Sequence, residues 1–213
     1  RQWLGGLWFR LARKRKFAAV LVPGISGRRL ARWYAFTDEE IAEGLYGADP
    51  TVFFDGPPLA ARPKRILFVG QYIERKNCVG LAKAFASVAA RLPEWELHLY
   101  GSGPLQDKIP AHPRIKVHGF VQPAELGALY RSARIFALPS HSEAWGLVVH
   151  EAALSGCQLL LSATTGSRQD FATQMNAAEF PAGDRDALAQ AILQLASSDD
   201  STLERAQAKS RAL

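Results

Sequence analysis

From residue 65 onward the chain alternates short β-rich runs with segments of helical spacing, and few folds accommodate that pattern. The β-rich runs are RILFVG (65–70), WELHLY (95–100), RIKVHGF (114–120), RIFALP (134–139), CQLLLS (157–162) and NAAEF (176–180), each short and bounded by turn-forming residues. Between and after them, CVGLAKAFASVAARL (78–92), PAELGALYRSA (123–133), GLVVHEAALS (146–155) and DALAQAILQLASS (186–198) place apolar residues at helical intervals. Strand followed by helix, repeated with short connections, predicts a parallel sheet covered on both faces. The expected fold class is α/β, a doubly wound, Rossmann-like parallel sheet. Its ligands should collect beyond the carboxyl ends of the strands, in the loops that lead into helices.

Residues 1–60 do not join that repeat. FAAVLVPG (17–24) predicts a strand ending in a turn, and ISGRRLARWYAF (25–36) a helix after it. DGPPLAARPKR (55–65), interrupted by Gly56, Pro57, Pro58 and Pro63, predicts a linker. The expected organisation is 1–54 as the trailing part of a first α/β domain, 55–64 as a linker, 65–182 as a complete second domain, and 183–213 as a C-terminal helix and tail. A length of 213 residues with 48% hydrophobic content is enough for one complete domain and part of another. The chain begins with Arg1 rather than Met, so a fragment or a processed chain is expected.

Charge is unevenly spread. Residues 1–35 hold nine Lys or Arg (Arg1, Arg10, Arg13, Lys14, Arg15, Lys16, Arg28, Arg29 and Arg32), and the first acid is Asp38. With Trp3, Trp8 and Phe9 interleaved, RQWLGGLWFRLARKRK (1–16) resembles a helix lying on an anionic membrane surface. Peripheral membrane contact through residues 1–16 is one expectation. The other is a domain helix with a solvated basic face and its aromatics in a core. No apolar run approaches the roughly 18 residues of a membrane-spanning helix, and Gly5 and Gly6 break the basic N-terminal region, against a signal-peptide pattern. Cys78 and Cys157 do not read as a disulfide framework. The expected location is the cytoplasm, at the inner face of the membrane if residues 1–16 bind it, and no nucleic acid is expected as a partner.

The segment HSEAWGLVVHEAALSGC (141–157) sets Glu143 and Glu151 eight positions apart, which on one continuous helix would leave them roughly 80° out of line. They fit together if Glu143 lies in the loop after the strand IFALP, the helix starts near Gly146 or Leu147, and Glu151 sits one turn inside. That helix would end at Ser155, with Gly156 as a left-handed cap. The N–H groups of Gly146, Leu147 and Val148 then face the space between two carboxylates and suit a phosphate. Carboxylates on either side suit hydroxyl groups, and hydroxyl, phosphate, hydroxyl is the outline of a nucleotide sugar. The plainer reading makes Glu143 a surface loop residue and Glu151 a solvated helix residue. VGQYIERKN (69–77) adds Arg75 and Lys76 in the loop after the first strand of the domain, within reach of a diphosphate at the same sheet edge. YGSGP (100–104) adds a glycine turn after the second strand, short of a G-x-G-x-x-G fingerprint.

These residues resemble the retaining glycosyltransferases of family 4, which have two facing Rossmann-like domains, the GT-B architecture. The resemblance rests on VGQYIERKNCVGLAKAF, GSGP, GFVQPAELGALYRSA and EAWGLVVHEAALSG, and more loosely on VPGISGRRLARWYAF and LYGADPTVF. It implies that Lys76, with Arg75, neutralises a donor diphosphate, assisted by the backbone amides of Gly146, Leu147 and Val148. Glu143 would contact the donor sugar and Glu151 the ribose. Backbone at Phe120 and Val121 would meet the base, with Gly70, Gln71, Gly101 and Gly103 completing the nucleotide-sugar site. The implied reaction moves a sugar from a UDP- or GDP-linked donor to the hydroxyl of a sugar or lipid-linked acceptor, with retention, in polysaccharide or glycolipid synthesis. No cofactor and no metal ion are expected, since positive charge and the helix dipole take the metal's part. The chain alone would bind donor and transfer nothing. Two departures stand out: Gln71 where the family usually has Arg, and Asn77 where it usually has Gly. Two alternatives remain, a non-catalytic nucleotide-sugar-binding or scaffolding module of the same fold, and an enzyme of the sugar-nucleotide epimerase kind. Asp184 and Asp186 of DRD imitate a metal-binding Asp-x-Asp but read as a helix cap and a first-turn acid. His98, His112, His118, His141 and His150 lack metal-ligand spacing, and His150 reads as a bystander to Glu151.

Overall fold

A computed structural model describes residues 2–44 and 46–211, leaving out the side chains of Gln2, Trp3 and Arg211. Arg1 and the Trp3 side chain of the basic N-terminal stretch, Leu45 of LYGADPTVF and the last two residues of the expected tail lie outside it. The chain divides into two compact units, residues 1–47 and 48–213.

The N-terminal unit runs through α1 (Gln2–Trp8), a π-helical turn (Phe9–Arg13), β1 (Val20–Val22), α2 (Gly24–Trp33) and β2 (Ile41–Glu43). The two strands pair in parallel. Val22, Ala31, Phe36 and Ile41 form a small core. Phe9 packs against that core, stacking edge-on with Tyr34 at 5.0 Å. Trp8 points outward together with Leu4, Leu7 and Leu11. Of the two aromatics of residues 1–16 whose side chains are described, Phe9 therefore packs on the core as a domain helix requires, while Trp8 does not.

The C-terminal unit contains β3 (Arg65–Val69), α3 (Cys78–Val88), β4 (Glu96–Tyr100), β5 (Ile115–His118), α4 (Pro123–Arg131), β6 (Ile135–Leu138), α5 (Leu147–Leu154), β7 (Gln158–Ser162), α6 (Arg168–Phe171), β8 (Ala177–Phe180), α7 (Arg185–Ala196) and α8 (Asp200–Arg211). All six strands pair in parallel, in the order β5-β4-β3-β6-β7-β8. Side chains alternate between two apolar layers, as the period of two requires. Ile66, Phe68, Leu97, Leu99, Ile135, Ala137 and Leu160 face α3 and α7. Leu67, Phe136, Leu138, Leu159 and Leu161 face α4, α5 and α6. A sheet buried on both faces explains why the strands read as near-continuous apolar runs. Cys78 and Cys157 are free and buried, and burial pushes both thiols up to about 11.

Two expectations about boundaries change. The break between units falls after Gly47, and the proline-rich segment expected to be a linker is packed into the C-terminal unit. Leu59 is buried with Leu203 and Ala206. Beyond a 3-10 turn at Leu59–Ala61, side chains satisfy much of its backbone: Arg134 Nη2 donates to Ala60 O (2.6 Å), Arg134 Nε to Arg62 O (2.8 Å), and Leu59 N to Gln207 Oε1 (2.8 Å). The expected C-terminal tail is a second helix, α8, whose Leu203, Ala206, Gln207 and Ser210 are all buried.

Arg62 ties these parts together. Its guanidinium is buried and donates to Pro57 O (2.9 Å), Ala133 O (3.1 Å), Ser155 O (2.9 Å) and Tyr130 O (3.5 Å). Tyr130 O and Ser155 O lie at the carboxyl ends of α4 and α5, where a cation also meets the negative end of each helix dipole. Arg62→Ala should lower the unfolding free energy by about 3–5 kcal/mol, because buried carbonyls lose their donor and a cavity opens. A urea titration followed by circular dichroism measures this as a lower midpoint.

Candidate functional site

The strand order reverses between β3 and β6, so the loops leaving those two strands diverge and open a crevice at their carboxyl ends. The β3 loop passes through a 3-10 turn (Glu74–Lys76) and then Asn77 in left-handed conformation (φ 53°) before entering α3. Asn is among the side-chain-bearing residues that adopt this region most readily, so it serves here in place of glycine. Its Nδ2 donates to Pro139 O of the β6 loop (3.1 Å), and His141 N donates to Arg75 O (2.8 Å), stitching the two loops together.

Arg75, Lys76 and Glu143 meet in this crevice. Lys76 Nζ and Glu143 Oε2 form an ion pair, and Arg75 Nη1 lies 3.3 Å from the same oxygen while donating to Ser142 O (3.0 Å). The Lys76 and Glu143 side chains are only 15% and 11% exposed, against 47% for Arg75. Solvent therefore screens the lysine pair less than the arginine one. The β7 exit fixes Glu143 from the other side: Gly166 N donates to Glu143 O (2.9 Å), and Ser162 Oγ and Thr164 Oγ1 donate to Ser140 O (2.6 and 2.9 Å).

Gly146 caps the amino end of α5 with φ 89°. A Cβ there would lie 3.0 Å from Leu138 Cδ2 and 3.1 Å from Glu143 Cγ, so the turn needs glycine for both conformation and space. The first-turn N–H groups at Leu147 and Val148 have no partner within the helix. Glu151 lies one turn further on. Only 8% of it is exposed, and it accepts a hydrogen bond from Tyr130 Oη at Oε2 (2.8 Å).

A cavity of about 280 Å³ opens beside the crevice. Gly70, Gln71, Gly101, Phe120 and Val121 line it together with Tyr100 and Leu126. Gly101 has φ 141°, and a Cβ on it would stand 1.9 Å from Gly70 O, so glycine lets the β4 loop press against the β3 loop. Gly103 does the same against the Tyr72 backbone and does not line the cavity.

Residues 63–198 match the profile of the family described as glycosyl transferases group 1. The chain belongs to this family. Its fold is the GT-B kind: the pneumococcal O-GlcNAc transferase GtfA, solved with UDP and GlcNAc, superposes with a TM-score of 0.76 at 22% identity, over 97% of this chain and 43% of that one. The C-terminal domain of a glycosyl transferase group 1 family protein from Francisella tularensis superposes at 0.67 and 18% identity, over 78% of this chain and 95% of that one. D-inositol 3-phosphate glycosyltransferase of Corynebacterium kroppenstedtii is 29% identical over 158 residues, which are 62% of this chain and 35% of that protein. The chain thus spans about a third of the length of that curated relative.

Within this group 1 glycosyltransferase chain, sequence reasoning missed Tyr130. A tyrosine at the i+4 position from Leu126, on the inward face of α4, needs a partner for its hydroxyl. Nothing in the spacing identifies that partner as Glu151, 21 positions away. His150 accepts from Ala48 N at Nδ1 (3.1 Å), stacks on Phe171 at 4.4 Å, and has its pKa lowered by burial, so its ring is committed to packing. Asp184 caps α7, accepting from Ala187 N (2.9 Å).

Burial pushes the Glu151 carboxyl above its ordinary range, and the Tyr130 hydrogen bond opposes that shift. A carboxyl whose folded pKa is raised costs nothing below its ordinary value, 4.5, and destabilises the fold increasingly as pH rises through the raised value. Glu151→Gln, which keeps an acceptor for Tyr130, should therefore raise Tm at about pH 7.5, with the gain shrinking towards zero near about pH 4. Thermal unfolding across that range is the measurement, and a gain independent of pH would contradict the assignment.

Proposed function

We propose that the chain carries the donor-binding half of a glycosyltransferase that moves a sugar, with retention, from a uridine or guanosine diphosphate to an acceptor hydroxyl. The acceptor is a sugar or a lipid-linked sugar, in polysaccharide or glycolipid synthesis on the cytoplasmic side of a membrane. The observation that carries the reading is the ion cluster of Lys76, Arg75 and Glu143 in the switch-point crevice, beside the amino end of α5. Two cations facing one carboxylate leave net positive charge for a diphosphate. When the phosphates take over Lys76 and Arg75, Glu143 is released to accept hydrogen bonds from hydroxyls of the donor sugar. Glu151 takes the ribose, and the cavity beside Phe120 and Val121 takes the base.

In the reaction, the bond between the anomeric carbon and the diphosphate oxygen breaks with its electron pair on that oxygen. The acceptor oxygen bonds to the carbon on the face the diphosphate leaves, and its proton passes to the departing diphosphate oxygen. Lys76, Arg75 and the α5 dipole stabilise the charge that develops on the leaving diphosphate.

Three charge-assisted hydrogen bonds at about 1.5–3 kcal/mol each contribute roughly 5–9 kcal/mol before an association cost of at least ~4 kcal/mol. Calorimetric titration with UDP, GDP and ADP, alongside Lys76→Ala and Glu151→Ala, tests the reading. The balance of bonding and association cost is at most about 5 kcal/mol, so with base and ribose contacts added one diphosphate should bind with a dissociation constant near millimolar. Lys76→Ala should weaken it about tenfold or more. Heat from none of the three, or binding indifferent to both substitutions, overturns it and favours a module that keeps the fold without the donor site.

Membrane contact is supported by the outward-facing Leu4, Leu7, Trp8 and Leu11, at helical spacing beside the exposed Arg10, Arg13, Arg15 and Lys16. The chain should co-sediment with vesicles containing an anionic phospholipid and release at high salt. Equal retention on neutral vesicles, or none on either, removes this part of the reading.

A further inference from the structure

Of the two carboxylates near the crevice, Glu143 is held by cations and Glu151 by a phenol. The Tyr130 ring is fully buried and packs edge-on against Phe53 (5.8 Å, 70°) and Phe136 (5.5 Å, 65°). Its backbone carbonyl is clamped as well, receiving the Cys157 thiol at 3.2 Å and the Arg62 guanidinium at 3.5 Å. With ring and backbone both fixed, the phenol oxygen has one position, and it holds Glu151 Oε2 at 2.8 Å. The same helix face reaches the cavity one turn earlier, through Leu126.

We propose that Tyr130 is a positioning residue of the donor site: by occupying one oxygen of Glu151, its phenol turns the other toward the ribose hydroxyls. The proposal rests on Glu151 being the ribose acceptor. A glutamate has three side-chain torsions, and a carboxylate free to rotate would spend much of its time away from the geometry that two vicinal hydroxyls require. Fixing Oε2 removes that freedom before the ligand arrives, so the ribose hydrogen bond forms without a further ordering cost. A purely structural tyrosine would use Glu151 only to satisfy its own hydroxyl, and its loss would affect the fold without changing which nucleotide is preferred.

The test compares UDP and GDP, each beside its 2′,3′-dideoxy analogue, by calorimetry on the wild-type chain, Tyr130→Phe and Glu151→Gln. Phe keeps the ring against Phe53 and Phe136, and Tm reports any structural loss separately. The wild-type chain should prefer the ribonucleotide by about tenfold or more. Tyr130→Phe should bring that preference to within about threefold while leaving dideoxy binding within about twofold of wild type, and Glu151→Gln should behave likewise. If Glu151→Gln loses the preference and Tyr130→Phe keeps it, the phenol is only a core hydroxyl and the proposal falls while the donor site stands. If Glu151→Gln keeps the preference, or neither diphosphate binds the wild-type chain, the ribose assignment and the proposal fall together.

Discussion

The reversal of strand order between β3 and β6 is the constraint on which the rest of the C-terminal unit depends. Crossovers between parallel strands are right-handed, so a sheet that grows in one direction from β3 and in the other from β6 must send the following helices to opposite faces. α3 accordingly packs in the layer with α7, and α5 in the layer with α4. The two loops that start side by side therefore part, and the chain has to hold their exits together with specific bonds. Asn77 to Pro139, His141 to Arg75 and Lys76 to Glu143 all span the gap. The chemistry of the crevice follows from that topology.

The polar groups gathered there are not those that stability alone would select. Glu151 sits in an apolar layer where burial disfavours its charged form, and among the described residues its carboxyl accepts one side-chain hydrogen bond, from Tyr130. Arg62 differs, because its guanidinium is buried with carbonyls arranged around it, at the far ends of the same helices. The guanidinium is surrounded by carbonyls of the fold, while among the described residues one oxygen of the carboxylate is bonded, by Tyr130. On the donor-binding reading, that contrast suits a group whose second oxygen meets a ligand.

Much of this was legible in the sequence, since it depends on local periodicity. Each of the six strands of the large sheet lies inside its β-rich run, and the helix after β6 begins at Leu147 with Gly146 and Gly156 left-handed at its two ends. The segment 55–64 was misread because proline reports the absence of regular hydrogen bonding within a segment, not whether side chains elsewhere supply it. Arg134 and Gln207 supply it from 72 and 148 positions away. The Tyr130–Glu151 bond was invisible for a related reason: it joins two helices on one face of the sheet, and neither helix pattern encodes the other's rotation. Gly101 and Gly103 look like ligand-contacting glycines in the sequence. Their structural requirement is the close approach of two loops of the chain itself.

Gln71 shows how far charge at one loop position can stand in for charge at another. Gln71 lines the cavity beside Gly101, whereas Arg75 is tied through Ser142 O and Glu143 to the β6 loop. The two positions belong to one loop but face different parts of the site. A cation at 71 would stand in the cavity; the one at 75 stands at its neighbour, the crevice. On the donor-binding reading, Arg75 can answer for the charge of a diphosphate but not for contacts made inside the cavity. The chain then relies more heavily on Lys76 and on the amino end of α5. Both are fixed by backbone geometry that Gly146 and Asn77 make possible, so on that reading the charge offered to a diphosphate depends on the conformation of those two loops.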